Sequence, residues 1–191
     1  MDYNNQFTAV GLQGTAPIQA VPRRFTNGYW TIGGNASYSN STGIYFGTIV
    51  SALPAAPSDF LIGQSVATSP VRGVAIWEPS IGQNDPFKNN YALQGTPVTV
   101  MTWGMFAINS WTKTATGAVD PSIDAVVIYN KTTGAIEFQP YGTVAAPTGW
   151  VLAVEGVAGV PYMRVVEVGN LAGNSPAVLN QGSGVVLKIE V

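Results

Sequence analysis

The chain has 191 residues and a mass of 20.0 kDa, the size of one domain or of one domain with an arm. Only 9% of its residues are charged and 46% are hydrophobic, with a mean hydropathy of +0.20, so the chain is not disordered as a whole. It has no histidine and no cysteine, which excludes Ser-His and Cys-His triads, His or Cys metal sites, redox thiols and disulfides. By size scaling, about 70% of the open chain's surface can be buried. Gly, Pro, Thr, Asn and Ser supply 77 of the residues, which is the chemistry of turns and strands rather than of helices. A net charge of −2 with eight Lys and Arg argues against a nucleic-acid partner. No apolar run reaches the length of a membrane span, and the opening MDYNNQF does not have the make-up of a signal peptide.

Residues 1–28 read as an extended arm. Pro17 and Pro22 block a helix, and the apolar residues Phe7, Val10, Leu12, Ile18, Val21 and Phe25 share no face. Such a segment either lies along another surface or is a loose terminus. Arg23-Arg24 is the only basic doublet; it either grips carboxylates on a partner or is simply solvated.

From Tyr29 onward, short apolar runs alternate with Gly, Pro and Asn. Residues 43–50 and 71–77 are expected strands, the second stopped by Pro79. Ser58 is expected to cap a single helical turn over 58–63. Residues 84–93 are the one helix candidate of useful length, with Asn84 or Asp85 as cap and Pro86 at the first position. Residues 97–108 form a long expected strand bent at Gly104. Asp124–Tyr129 and Ala135–Gln139 flank Asn130-Lys-Thr-Thr-Gly134, a hairpin whose loop ends on a left-handed glycine. Residues 150–154, 162–168 and 184–191 are the last strands. The expected fold is mainly β: a barrel or sandwich of eight to ten short strands over 29–191, with the arm before it and at most one or two short helices.

The ten carboxylates are scattered singly. Asp120 and Asp124 are close in sequence, but they lack the oxygen ligands that calcium needs, and a capped turn before a strand is the better reading. Gly33-Gly34 and Gly11-x-x-Gly14 match no phosphate loop. The five tryptophans and eight tyrosines fit a core or an interface better than a sugar platform. No cofactor, no metal and no enzymatic activity are expected.

Three stretches carry a resemblance. They are Gly73-Val-Ala-Ile-Trp-Glu-Pro79, Gly95-Thr-Pro-Val-Thr-Val100 running on to Gly104, and the hairpin Val126-Val-Ile-Tyr129 … Thr133-Gly-Ala-Ile136. In this order they resemble the structural cement, or head decoration, proteins of tailed bacteriophages. The start, Ala16-Pro-Ile … Val21-Pro22, resembles the capsid-hugging arm of that family. The likeness covers about residues 10–140. The chain departs from the family's pattern at Ser122-Ile123-Asp124 before the hairpin and in its strand-rich tail after Trp150. The resemblance implies a virion structural protein on the outer surface of the capsid, made in the host cytoplasm, that bridges capsomers and has no enzyme activity. Its partners would be the major capsid protein and further copies of itself, as a dimer or trimer, with no nucleic acid and no membrane. Phe7, Leu12, Ile18, Arg23, Arg24 and Phe25 are the partner-binding residues expected on the arm. The alternative is a carbohydrate- or receptor-binding β-module of a phage tail or other surface.

Overall fold

The computed structural model describes residues 24–30, 44–52, 61–64, 69–76, 91–92, 97–108, 111–170 and 183–191. These residues contain twelve strands and no helix. The strands are β1 (Arg24–Trp30), β2 (Ile44–Tyr45), β3 (Ile49–Ala52), β4 (Leu61–Gln64), β5 (Val71–Ile76) and β6 (Tyr91–Ala92). They continue as β7 (Pro97–Ile108), β8 (Val126–Asn130), β9 (Ile136–Gln139), β10 (Trp150–Leu152), β11 (Tyr162–Asn170) and β12 (Ser183–Glu190). Ten strands belong to one sheet, and β2 and β6 form a small second one.

Strand β1 pairs in parallel with β4 and antiparallel with β7, while β4, β3, β5 and β7 pair in sequence. These five strands therefore close a ring. Strand β7 then carries the sheet onward through β12, β11, β8 and β10, with β9 beside β8. The mainly β, barrel-like fold expected from the sequence is what forms.

The long β7 joins the two parts because it changes partners midway. Its first half pairs with β1 and β5, and its second half, from Trp103 to Ile108, pairs with β12. At the change, Arg24 faces Trp103 while Phe25 faces Met101, so β1 skips Thr102. Such a bulge moves side chains to the other face. Accordingly Met101 joins the main core from an odd position, and Phe106 and Ile108 join it from even ones. The bend expected at Gly104 coincides with this switch, and Gly104 has φ 136°.

The main core is shared by the ring strands β3, β5 and β7 and the strands of the open sheet. Val74, Ile76 and Met101 meet Phe106, Val127, Phe138, Val165 and Leu187 there. A second core of Ile44, Phe46, Val50, Ala75, Val98 and Val100 occupies the opposite face of β3, β5 and β7. The β8–β9 loop locks onto the ring, since the Ile49 N–H donates to the Gly134 carbonyl at 3.0 Å.

Four local expectations are corrected. The strand expected over 43–50 is split by a turn at Phe46–Thr48, because the Gly47 N–H donates to the Ala75 carbonyl and Thr48 Oγ1 donates to the Tyr45 carbonyl. Half of the helical turn expected over 58–63 lies outside the described residues, but its other half, Leu61–Gly63, is part of β4, held by β1 and β3. The helix expected over 84–93 likewise lies outside the described residues apart from Tyr91–Ala92, which pair with β2. The arm boundary drawn after residue 28 falls inside β1, because residues 24–28 already pair with β7. At 61–63 and 91–92, pairing with another strand overrides a local cap signal.

Candidate functional site

The N-terminal end of β11, the C-terminal ends of β9 and β10 and the 121–125 loop before β8 converge at one end of the open sheet. They line an open groove of about 300 Å³, whose walls include Ile123, Asp124, Tyr141, Val154, Tyr162 and Met163. The loops around it are built locally. The Ala125 N–H donates to the Ser122 carbonyl at 3.0 Å, closing the turn that carries Ile123 and Asp124. The turn expected before β8 is present, while the Asp120 carboxylate pairs with Lys113 rather than capping it. Thr143 donates to the Pro140 carbonyl through both its N–H, at 3.2 Å, and its hydroxyl, at 2.8 Å, which fixes the turn bearing Tyr141. Tyr141 is 84% exposed, Ile123 66%, and Val144 on the same loop 90%. Three large apolar side chains held in water on ordered turns are contact-surface chemistry rather than core chemistry.

The sheet register connects this end to the start of β1. Arg24 faces Trp103, Trp103 faces Glu190, and Glu190 faces Tyr162. One lateral row thus runs from the first residue of β1 to the first residue of β11. At ~4.8 Å per strand, the point where the chain enters β1 lies about 15 Å from Tyr162. The segment before β1 joins the fold at the groove end of the sheet.

Of the residues expected to bind a partner, Phe7, Leu12, Ile18 and Arg23 lie outside the described residues. Arg24 and Phe25 are in β1, opposite Trp103 and Met101. The aromatic residues divide. Trp150 and Tyr129 are buried, and burial raises the Tyr129 phenol above its ordinary pKa. Trp111 packs edge-on against Phe138 with ring centroids 6.2 Å apart, and Lys188 sits 6.0 Å from the Trp103 ring. Among the described residues, they do not form a single exposed row.

The carboxylate that the sequence gave no reason to single out is Glu137. It is fully buried on β9, with no cation against it among the described residues. Thr112 Oγ1 donates to its Oε1. The Thr114 hydroxyl donates to Oε1 at 2.7 Å, the Thr114 N–H lies 2.9 and 3.0 Å from the two oxygens, and the Ala115 N–H donates to Oε2 at 2.9 Å. Burial pushes the Glu137 pKa up, but these donors outweigh it and hold the carboxyl below its ordinary value. The period-two run Thr112-x-Thr114-x-Thr116 was the available sequence signal, since alternate hydroxyls present one polar edge. Glu137 is saturated by neutral donors and has no free lone pair aimed at solvent, so its chemistry is structural. Among the described residues no three of His, Cys, Asp and Glu come together as a metal site.

The chain matches no known protein-family model and no curated protein.

Proposed function

We propose that the chain is a capsid decoration (cement) protein, which binds the outer surface of an icosahedral phage head and bridges neighbouring capsomers. The observation that carries this reading is the shared end of the sheet. The expected arm's root and the exposed apolar residues Ile123, Tyr141 and Val144 share this end, with Asp124 and Glu190 among them, in a chain of which only 9% of the residues are charged. Depletion of charge with retention of aromatic and apolar side chains marks the centre of protein interfaces. The stretches that resemble the cement family support it as well: β5, β7 and the β8–β9 hairpin contribute to one core. Binding repeated over a symmetric shell adds up through multivalency, so each contact can be modest.

The test is addition of the protein to purified heads that lack it. Bound copies should saturate at a fixed ratio to the shell protein, and the heads should resist heat better as occupancy rises. Removal of residues 1–23, which leaves β1 whole, and Tyr141→Asp should each weaken binding while the circular dichroism of the β-domain is kept. Heads that bind neither form, nor the intact chain, would refute the reading.

A second reading rests on Tyr141 and Asp124 lining the same groove, an exposed ring beside a carboxylate, which suits a saccharide. Binding to a glycan panel that is lost in Tyr141→Ala, together with no binding to heads, would favour it.

A further inference from the structure

Strand β9 is buried at all four positions although β8 is its only strand partner among the described residues. Its other edge and its outer face are covered by residues 111–120, which contain no strand and wrap around it as a strap. Trp111 and Val119, near the two ends of the strap, pack against the main core. Ala115 and Ala118, in its middle, pack on the opposite face with Ile128, Trp150 and Leu152. The Val119 N–H donates to the Phe138 carbonyl at 2.9 Å, so the strap occupies part of the edge that another strand would use. Gln139 Nε2 donates to the Thr116 carbonyl at 3.1 Å, and Lys113 and Asp120 meet at 2.8 Å across the strap's exposed surface. The densest set of bonds converges on Glu137, which takes donors from Thr112, Thr114 and Ala115.

We propose that Glu137 is an acid-sensitive latch: its ionised carboxylate holds the 111–120 strap over the edge of β9, and protonation releases the strap while the rest of the sheet stays folded. The chemistry follows from the donors. A carboxylate is acceptor-only, and every partner here donates to it. A proton on either oxygen removes an acceptor site and sets an O–H against backbone N–H groups of Thr114 and Ala115. Those N–H groups cannot turn away as the threonine hydroxyls can. No cation compensates. Strands β8 and β10 contribute no charged residue to this face; the Tyr129 phenol of β8 lies in the main core on the opposite face. On the strap, Lys113 and Asp120 are half exposed and pair with each other, and Tyr141 of the following loop is in solvent. Apart from the exposed Lys113–Asp120 pair, Glu137 is the titratable group among the described residues whose bonds hold the strap. The carboxyl is held below its ordinary value in the folded state, so its contribution is fully present above the ordinary glutamate range and is lost as the pH falls through the folded pKa.

Amide hydrogen exchange of the full chain, corrected for the intrinsic rate at each pH, tests this. In the wild-type protein, the Thr114, Ala115 and Val119 amides should lose about ten-fold or more of their protection below the glutamate range while the β11–β12 amides keep theirs. Glu137→Gln should open the strap at neutral pH and abolish its pH dependence. The double variant Thr112→Val, Thr114→Val keeps the carboxylate but removes two hydroxyl donors, so the opening midpoint should move to higher pH. That shift separates a proton-read latch from a merely structural contact, and it serves where Glu137→Gln fails to fold. Protection of the strap and of β11–β12 lost together in the wild-type protein would overturn the proposal. So would a midpoint unmoved in the double variant.

Discussion

Gly134 offers the most quantitative test of how the two parts of the fold are joined. It closes the β8–β9 loop with φ 69°; its N–H donates to the Asn130 carbonyl at 3.0 Å, and its own carbonyl accepts from Ile49. A Cβ placed there would collide with the Ile49 carbonyl oxygen and come within 3.1 Å of the Ile49 N and C atoms. In Gly134→Ala the left-handed backbone costs about 1–2 kcal/mol. The collision is with backbone, which cannot rotate aside, so the loop must withdraw and lose a bond of about 1 kcal/mol. A total of about 3 kcal/mol lowers Tm by about 6–12 °C at this chain length. Gly142 and Gly159 supply the controls, because both have positive φ, 81° and 74°, and nothing within 4 Å of an added Cβ. Alanine at either should cost the conformational part alone, about 1–2 kcal/mol. Thermal unfolding followed by circular dichroism compares the three. If Gly134→Ala loses no more than Gly142→Ala and Gly159→Ala, the loop does not press on Ile49 and the junction described here is wrong.

Other expectations follow from burial and charge. Phe106→Ala, which empties a fully buried site in the main core, should cost about 3–5 kcal/mol in denaturant unfolding. Lys113→Ala should change stability by less than about 1 kcal/mol in the same assay, because both partners of its ion pair are about half exposed. Burial raises the Tyr129 pKa from its ordinary 10.0, so the neutral phenol's contribution is complete below pH 10 and lost as the pH rises through the folded value. Tyr129→Phe should therefore flatten the alkaline limb of the stability–pH curve, and an unchanged limb would assign that limb to other groups.

The residues that made the fold legible are those whose local pattern and tertiary fate agree. Val126–Asn130 and Ile136–Gln139 alternate around a loop whose Asn130 Oδ1 accepts from the Thr132 and Thr133 N–H groups, so the turn is encoded within itself. The run 97–108 carries its own bend. Residues 61–63 and 91–92 were illegible for the opposite reason: they pair with β1 and β2, far away in sequence, and with β3 across an intervening link, while local capping signals pointed elsewhere. The groove was hidden because it is made by four loop or strand ends that only the register brings together. Glu137 was hidden because a single glutamate between Ile136 and Phe138 looks like the solvent face of a strand. Only the strap turns that face into an interior.

The strap and the groove end show two ways in which a chain with so few charges handles exposed β-structure. Edges and carboxylates usually stay soluble by carrying Lys or by ion pairing. Here the described edge of β9 is covered by the protein's own chain, and the buried carboxylate is neutralised by hydroxyl and amide donors rather than by a cation. At the other site the apolar residues Ile123, Tyr141 and Val144 are left in water on turns tied by hydrogen bonds, so no entropy of loop ordering opposes their burial against a partner. Arg24, the first residue of β1, stands in the same lateral row as Tyr162. If the chain is a capsid decoration protein as proposed, an end bearing Ile123, Tyr141 and Val144 attaches by burial rather than by charge. Binding to its partner should therefore be nearly insensitive to salt between low and physiological ionic strength, since hydrophobic contacts are not screened. A steep loss of binding to heads over that range would show that charged groups, and not Ile123, Tyr141 and Val144, carry the contact.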